Sequence, residues 1–306
     1  MGDVAAVELI GFLNVFKDRG MTSHDVINRL RKITGIKQIG HGGTLDPMAE
    51  GVMAVAIGKA CRLLQFLDDD KTYLAEIKLG QVTDTDDVEG KTLSLARDLS
   101  HIERAEVELH LKKFVGKLQQ IPPIYSAIKK GGVKMYELAR KGEAPEEMEA
   151  RSVEVYSLEF IDFVPPHVTV RVACSKGTYI RSIARDLGQM LGVGGCLSKL
   201  LRERSGPFQV EQSQTLDSLK DAGKENFAGF LLPLAQSLRM TTIDCDSEFA
   251  RKLAHGQVLD GASVTSQTLE EEFYIASLDD KPVALVRLKD GKLIQPEVVL
   301  ANAAEI

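Results

Sequence analysis

The stretch IGHGGTLDPMAEGVMAVAIG, residues 39–58, places one aspartate, Asp46, in a glycine-rich loop just ahead of an apolar run. The proline after Asp46 disfavours helical backbone, and the three glycines of GHGG permit unusual backbone angles or close approach by another molecule. The apolar run 52–57 predicts a buried strand. The pattern therefore predicts an aspartate held in a stiff, exposed turn against a rigid element. An Asp-Pro turn without a chemical role is the alternative, and this window alone favours it.

The composition fits a protein with a large apolar core. The 306 residues are 44% hydrophobic and 27% charged, which suggests one large domain or two unequal ones. No apolar run is long enough to cross a bilayer, and the N-terminus shows no secretory signal pattern. Scattered cysteines and unclustered histidines give neither a disulfide framework nor paired metal-ligand spacing. We therefore expect a cytoplasmic protein without a metal site.

Charge is segregated along the chain, although the net charge is −6. Residues 109–141 carry eight Lys or Arg against one acid, whereas residues 142–162 carry seven acids against one Arg. Residues 174–204 carry six Lys or Arg against two acids. This segregation could build a basic face for nucleic acid on an acidic protein. Solvated helix surfaces are the alternative, which charge alone favours.

Hydrophobic periodicity predicts a mixed α and β chain. Thr22 and Asp25 resemble a capping box that opens a helix. Alternation in TYLAEIKL, residues 72–79, places Tyr73 on the inner face of a strand. Further predicted elements are a helix after Gly58, strands at 153–163 and 167–174, and a helix after SKGT with Ile180, Ile183, Ala184, Leu187 and Leu191 buried.

The region from residue 241 onward has the pattern of a small β-rich module with its own core. Ser247 could cap a short helix that Gly256 ends. The segments FYIASL, PVALVRL and KLIQPEVVL predict strands, and the pair Asp290-Gly291 is typical of a hairpin turn. We therefore divide the chain into domains 1–240 and 241–306.

Residues 119–143, QQIPPIYSAIKKGGVKMYELARKGE, combine paired Pro and paired Gly with aromatic side chains among lysines. This mixture suits a surface that grips a nucleic-acid backbone and stacks on bases. A structural hairpin packed on the body is the alternative. We interpret the segment as a mobile RNA-binding arm, with Lys129, Lys130 and Lys134 as its contacts.

Two familiar motifs are incomplete in this sequence. TDTDDVEG, residues 83–90, resembles a calcium loop but has Glu89 where glycine is needed and Leu95 where the bidentate glutamate is needed, so we predict a solvated turn. The glycines of GHGG lack the GKS or GKT of a phosphate loop. A serine-nucleophile elbow and a Rossmann fingerprint are also missing. The sequence therefore predicts neither a metal nor a nucleotide cofactor.

Four motifs in order resemble the TruB family of bacterial tRNA pseudouridine-55 synthases: GHGGTLDPMAEGVMAVAIGKA, KTYLAEIKLGQVTDTDD, QQIPPIYSAIKKGGVKMYELARKGE and CSKGTYIRSIARDLG. The resemblance covers about residues 9–210 strongly and the tail more loosely. In FKDRGMTS, Asp18 stands where the family usually has proline. The resemblance implies an α+β pseudouridine synthase fold with a mixed, largely antiparallel sheet and flanking helices. It also implies a small β-rich, PUA-like C-terminal domain that binds RNA.

The resemblance also implies a reaction. Uracil is detached from its ribose, turned and reattached through carbon, which is an isomerisation that needs no cofactor. Asp46 aligns with the catalytic aspartate, which either attacks as a nucleophile or stabilises charge on the sugar. Arg181 is the implied cation that keeps this carboxylate ionised. Tyr73 is implied to stack on the detached base and to help remove a proton from its carbon.

Further binding roles follow from the same resemblance. His41, Tyr179, Leu200 and Lys17 are implied to contact the substrate nucleotide, its RNA or the loops around it, and Lys176 joins the RNA contacts. The implied partner is the T-arm of tRNA, whose target uridine must be flipped out. We expect a monomer without a protein partner or a membrane. Two alternatives are a non-catalytic RNA-binding or RNA-folding factor with the same fold, and a synthase with another RNA target.

Overall fold

The computed structural model describes residues 9–96, 98–126, 128–143, 148–261, 269–304 and 306, and the side chains of Lys130 and Arg140 lie outside this description. In the body the strands are β1 Gly11–Lys17, β2 Ile39–His41, β3 Glu50–Ile57, β4 Lys71–Leu79, β5 Gln81–Thr83, β6 Thr92–Leu95, β7 Gly116–Gln120, β8 Lys129–Lys130, β9 Val133–Lys134, β10 Arg151–Val164, β11 His167–Cys174, β12 Gly195–Ser205 and β13 Phe208–Gln209. The α-helices of the body are α1 Ser23–Thr34, α2 Arg104–Leu111, α3 Met135–Lys141, α4 Ile180–Met190, α5 Leu216–Asn226 and α6 Leu234–Leu238, and 3₁₀ helices span Gly58–Phe66, Lys112–Phe114, Val210–Gln212 and Phe227–Phe230. The C-terminal elements are β14 Thr241–Asp244, α7 Ser247–Ala254, β15 Leu259–Asp260, β16 Phe273–Leu278, β17 Lys281–Lys289 and β18 Leu293–Val299.

One nine-stranded sheet organises the body, in the order β1-β3-β12-β4-β11-β10-β7, with β2 beside β3 and β13 beside β12. The pairing of β12 with β3 is parallel, and the other pairings in this sheet are antiparallel. The mixed, largely antiparallel sheet with flanking helices is therefore confirmed. The sheet places β4 and β12 side by side at its centre, where both border the loop between β2 and β3.

Strand β4 follows the predicted alternation along its whole length. Tyr73, Ala75, Ile77 and Leu79 are buried, whereas the residues between them are half-buried. A period of two is the geometry of a strand whose faces differ in environment. Tyr73 therefore points to the inner face because of its position in this pattern. It lies opposite Arg202 of β12.

Helices α1 and α4 pack on the sheet through apolar faces, and the face of α4 is the one predicted from sequence. Thr22 caps α1 in a complete capping box with Asp25, and Val26, Ile27 and Leu30 are buried beneath it. The residues of α4 predicted to be buried are Ile180, Ile183, Ala184 and Leu187, together with Leu191 just beyond the helix, and all five are buried. The first turn of α4 also carries Arg181, which is 4% exposed.

The segment after Gly58 is helical, as predicted, but it is a 3₁₀ helix over Gly58–Phe66 rather than an α-helix. It begins without a side-chain cap, directly after the strand residue Ile57. Packing of Ala60 and Leu63 into the core, rather than local hydrogen-bond propensity, holds this segment in place.

The predicted arm, residues 119–143, forms a short hairpin followed by a helix. Strands β8 and β9 pair around Gly131 and Gly132, whose φ angles of 60° and 85° are left-handed. Helix α3 follows directly. The base of the arm is fixed to α4, because Ser182 and Arg185 both donate hydrogen bonds to the carbonyl of Ile121. The mobility of the arm stays a prediction.

The C-terminal region forms the small β-rich unit that was expected. Its five strands run in the order β14-β16-β17-β18-β15, and Asp290 and Gly291 form the predicted hairpin turn with φ angles of 51° and 68°. The helix cap was predicted wrongly: Asp246, not Ser247, accepts the hydrogen bond from the amide of Phe249, at 2.7 Å. Residues 262–268 lie outside the described residues.

Two apolar clusters involve this C-terminal unit. Ile243, Phe249 and Tyr274 belong to a core of its own. A second cluster is shared with the body, where Ile275 and Leu285 pack with Phe12 and others. The boundary at residue 240 therefore stays a prediction, and cutting the chain there would expose apolar surface of the body. Among the described residues, no helix combines the length and the hydrophobicity that crossing a membrane requires.

Candidate active site

Asp46 lies in the loop between β2 and β3, and the neighbouring elements hold this loop by its backbone. The hydroxyl of Ser23, in the first turn of α1, accepts from the amide of Leu45 at 2.8 Å and donates to the carbonyl of Leu45 at 3.0 Å. Ala49 donates back to the carbonyl of Asp46 at 3.1 Å. The side chain of Asp46 remains 33% exposed. The stiff turn predicted from sequence is present, and its carboxylate is accessible.

Arg181 approaches Asp46 from the first turn of α4. Its Nε lies 2.9 Å from Oδ2 of Asp46, but the N–H bond is not aligned with that oxygen, so the contact is an ion pair rather than a hydrogen bond. The two Nη atoms donate to the carbonyls of Thr85 and Tyr125, each at 3.0 Å. These contacts fix the guanidinium beside the carboxylate. The guanidinium therefore places a positive charge next to this carboxylate.

Asp87 is a second carboxylate next to Arg181, and it lies in the segment predicted to be a solvated turn. The turn is present, but the prediction that it is solvated was wrong at Asp87, which is 6% exposed and has its Oδ2 3.7 Å from Nη1 of Arg181. Its Oδ1 accepts from the hydroxyl of Thr85 at 2.7 Å. Burial raises the pKa of Asp87, and the contacts with Thr85 and Arg181 partly offset this rise. The adjacent Asp86 pairs with Arg185 of α4 at 3.0 Å.

Tyr73 and Leu200 form apolar walls of the same site. Both side chains are buried and line one cavity with Asp46 and Arg181. Burial raises the pKa of Tyr73, whereas the guanidinium of Arg202 favours the ionised phenol. The ring is therefore a neutral phenol at neutral pH, with a cation beside its polar end.

Arg202 is a site residue that sequence reasoning missed. It is 1% exposed and runs from β12 beneath the loop that carries Asp46. It donates to the carbonyl of Val52 at 2.7 Å and to those of Thr44 and Gly43 at 3.3 Å each. The signal was available in principle, because Arg202 follows Leu200 by two residues, and alternate residues of a strand share a face.

Lys17, predicted to contact substrate, RNA or the site loops, contacts the loops. Its side chain is fully buried, and Nζ donates to the carbonyls of Asp18 at 3.0 Å, Met21 at 2.7 Å and Ala49 at 2.7 Å. Burial lowers the pKa of Lys17 to about 8. Lys17 therefore ties the loop after β1 to the loop that follows Asp46.

His41 ends β2 and borders the site on another side. Its Nδ1 accepts from the amide of Gly43 at 3.4 Å, which leaves Nε2 as the protonated nitrogen of a neutral ring. Burial lowers the pKa of His41, and the nearby Arg202 lowers it further. The imidazole is therefore predominantly neutral at neutral pH and offers a donor at Nε2.

Two cavities meet at Asp46 and Arg181, which line both. The first has a volume of about 420 Å³ and is also lined by Tyr73, Leu200 and Tyr179. The second has a volume of about 680 Å³ and lies on the side of the arm. Its lining also includes His24, His41, Asp87, Tyr125, Lys134 and Tyr136. The carboxylate of Asp46 is thus reached from two directions.

The predicted RNA contacts are spread over the edges of these cavities. Lys176 lines the first cavity and pairs with Asp69 at 3.3 Å. Lys134 lines the second cavity and lies over the ring of Tyr136, with Nζ 5.5 Å from the ring centre. Lys129 is exposed on β8. The side chain of Lys130 lies outside the described residues.

The amide groups of Tyr179 and Gln120 join the arm to the site. Gln120 is buried at the end of β7, and its side chain accepts from the amide of Tyr179 at 2.8 Å and donates to the carbonyl of Tyr179 at 3.1 Å. This pair fixes the N-terminus of α4, which carries Arg181. In the described part of the chain, no group of three or more His, Cys, Asp or Glu is arranged to hold a metal ion.

Comparison with known proteins agrees with this architecture. Residues 31–180 match the N-terminal domain of TruB family pseudouridylate synthases, and residues 181–239 match the tRNA pseudouridylate synthase B C-terminal domain. The chain is 44% identical to tRNA pseudouridine synthase B of Gloeobacter violaceus, over 82% of this chain and 87% of that protein. It is 39% identical to tRNA pseudouridine synthase B of Acaryochloris marina, over 95% of this chain and 99% of that protein.

Solved structures with the same fold come from ribonucleoprotein complexes. A Cbf5-Nop10-Gar1 complex contains a chain that is 26% identical with a TM-score of 0.70, covering 97% of this chain and 86% of that chain. An H/ACA RNP bound to a substrate RNA containing 2′-deoxyuridine contains one that is 25% identical with a TM-score of 0.69, with the same coverage. Fold and family together define a pseudouridine synthase, which is an isomerase. The chain belongs to the TruB family of pseudouridylate synthases.

Proposed function

We propose that the chain converts one uridine in the T-loop of tRNA, at position 55, to pseudouridine through Asp46 and without a cofactor. The observation that carries this proposal is the accessible carboxylate of Asp46, 2.9 Å from a buried arginine and between two cavities. A non-catalytic RNA-binding factor would have no need for this pair in its accessible cleft. The relatives named tRNA pseudouridine synthase B support tRNA as the substrate.

The reaction exchanges one bond for another on the same nucleotide. The bond between N1 of uracil and C1′ of ribose breaks, a bond between C5 and C1′ forms, and the proton from C5 is lost while N1 gains one. Asp46 contributes as a nucleophile at C1′ or as the anion that stabilises positive charge on the ribose. Both roles need a negatively charged carboxylate, and Arg181 places a positive charge beside it. No net oxidation or energy input is required.

Tyr73 and Leu200 hold the base while it turns. Both lie on the wall of the first cavity, so a detached uracil stays between apolar surfaces instead of diffusing into water. The raised pKa of Tyr73 favours stacking by a neutral ring over proton removal by a phenolate. Proton removal from C5 through Tyr73 depends on Arg202, whose charge favours the phenolate form.

The second cavity is suited to the RNA around the flipped nucleotide. It extends from Asp46 to the arm, where Lys134 and Tyr136 supply a cation and an aromatic ring. Flipping costs a few kcal/mol of lost stacking and pairing, which such contacts must offset. We further propose that the protein acts as a monomer in the cytoplasm. The four free cysteines fit a reducing compartment.

Incubation with unmodified tRNA tests the proposed function. The purified protein should form pseudouridine at one T-loop uridine without added nucleotide, because the reaction is a balanced isomerisation. Mapping of pseudouridine by sequence position gives the readout. A tRNA with cytidine at position 55 is the control and should give none. Binding without product would support the RNA-folding alternative, and product at another position or in another RNA would support a synthase with a different target.

Neutralising the arm should weaken tRNA binding and reduce its dependence on salt. Changing Lys129, Lys130 and Lys134 together to Gln removes three positive charges, and each lost phosphate contact lowers the slope of log affinity against log salt by about 0.7 to 0.9. Filter binding at several salt concentrations measures this slope. Lys220→Gln with Lys224→Gln, which removes two charges from the exposed surface of α5, is the control and should keep the wild-type slope. An unchanged slope in the arm variant would make the arm a structural hairpin.

A further inference from the structure

The first cavity carries more positive charge than its catalytic pair needs. Four cations line it against two carboxylates. Arg181 is paired with Asp46 and also lies near Asp87. The remaining three cations, Lys71, Lys176 and Arg202, therefore have Asp69 as the one other carboxylate on the cavity wall. The cavity next to Asp46 thus has excess positive charge.

Lys71 supplies a buried cation at this position. Its side chain is 9% exposed, yet it lies at the start of β4 and lines the cavity. Nζ donates to both the carbonyl and the carboxylate of Asp69. Burial lowers the pKa of Lys71, and the charge of Arg202 lowers it further. A second anion close to Nζ would raise the pKa of Lys71 again and so offset the lowering by burial and by Arg202.

Asp69 is shared between two lysines. Its Oδ1 lies 3.3 Å from Nζ of Lys71, and its Oδ2 lies 3.3 Å from Nζ of Lys176. The carboxylate is 36% exposed and the side chain of Lys176 is 76% exposed, so this part of the cluster can open to an incoming group. A carboxylate bridging two lysines occupies the kind of position in which an anionic ligand would bind.

Arg202 adds a fixed charge at the inner end of the cluster. Its hydrogen bonds go to three backbone carbonyls, which satisfy its donors but do not cancel its charge. Both Lys71 and Arg202 converge on Gly43, where an added Cβ would lie 3.5 Å from Cε of Lys71 and 3.9 Å from Nη1 of Arg202. The cations therefore surround the loop that presents Asp46.

We propose that Lys71, Lys176 and Arg202 form a subsite for one phosphodiester of the substrate RNA beside Asp46, with Asp69 as the carboxylate that this phosphodiester displaces. The inference rests on the proposed function, because it takes the ligand to be RNA whose ribose lies at Asp46. A phosphodiester is bonded directly to that ribose and carries one negative charge. Positive charge beside the ribose position suits the charged backbone on one side of the target nucleotide, whereas the uracil base is neutral.

Neutral methylphosphonate linkages in the RNA test the subsite. A synthetic T-arm stem-loop is made with one such linkage at each position around the target uridine, and affinity is measured for the full chain. At one position the linkage should weaken wild-type binding about tenfold, the effect of one charge-assisted hydrogen bond. Lys71→Met should weaken binding of the unmodified RNA by a similar factor. When Lys71→Met binds the RNA that carries this linkage, the loss of affinity should be no greater than the loss from either change alone.

Two further variants keep the test decisive. Asp69→Asn keeps the size of a partly exposed side chain and the backbone carbonyl that accepts from Lys71, and it should tighten binding of the unmodified RNA several-fold by freeing both lysines. Lys78→Met, on the same strand but the opposite face, should leave affinity and the methylphosphonate pattern unchanged. The subsite would be overturned if the loss of affinity from Lys71→Met added in full to the loss from every linkage. Weaker binding of the unmodified RNA by Asp69→Asn would overturn it as well. Pseudouridine in the unmodified stem-loop shows independently that the proposed function stands.

Discussion

Asp46→Asn should bind tRNA with near-wild-type affinity and yield no detectable pseudouridine in a single turnover. Asparagine keeps the shape of the side chain but removes the charge and most of its nucleophilicity. Neither attack at C1′ nor stabilisation of charge on the ribose remains available. We expect a fall in rate on the order of 10⁶-fold, the size seen when a nucleophile is removed. Rapid-quench assays with excess enzyme measure the rate, and filter binding measures the affinity.

Folding should survive this substitution. The loop around Asp46 is held through its backbone by Ser23 and Arg202, and Arg181 keeps its carbonyl partners and Asp87. Asp162→Asn on the exposed face of β10 is the control and should have wild-type activity. Clear residual turnover, with deamidation excluded by mass spectrometry, would show that Asp46 is a turn residue. Equal loss of binding and turnover would indicate a structural role.

The sequence predicted those parts of the fold that local patterns determine. Alternation over 72–79 identified β4 and the inward position of Tyr73, because one face of the strand is buried along its length. The capping box at Thr22 and the apolar face of α4 were equally local signals. The wrong cap at Ser247 shows the limit, since Asp246 is an equally suitable residue one position earlier.

The missed parts of the site depend on contacts between distant residues. Arg202 donates to Val52 across 150 positions, and Arg181 contacts Thr85 across 96. Asp87 was assigned to a solvated turn because its segment resembles a calcium loop but lacks the glycine and the glutamate that such a loop needs. Only the packing of α4 against that segment brings Arg181 and Arg185 to it and explains its burial. The basic excess in residues 174–204 was the available signal that such carboxylates were needed.

Lys17→Met should unfold more easily and lose most activity. The change leaves three backbone carbonyls without their shared donor, and each unsatisfied buried group costs about 1–3 kcal/mol. Removal of a buried charge offsets part of this cost, so we expect a net loss of about 3 kcal/mol in the free energy of unfolding. The loops released by this change flank Asp46, and small misplacement of a catalytic group can lower the rate about 100-fold. Urea denaturation and single-turnover assays measure both effects, with Lys32→Met on the exposed side of α1 as the control.

The stability difference between wild type and Lys17→Met should also depend on pH. The pKa of Lys17 is about 8 in the folded protein against an ordinary lysine value of 10.5. Between these values the unfolded chain binds more protons, so wild-type stability gains from this group as pH rises, in full above pH 10.5 and not at all below about 8. The gap should therefore widen by about 2 kcal/mol when unfolding is measured at pH 9.5 instead of 7.5, and by about 3 kcal/mol in all once the pH exceeds 10.5. A gap that narrows with rising pH would mean that the carbonyl cage raises the pKa of Lys17, because the three acceptors would then outweigh the cost of burial.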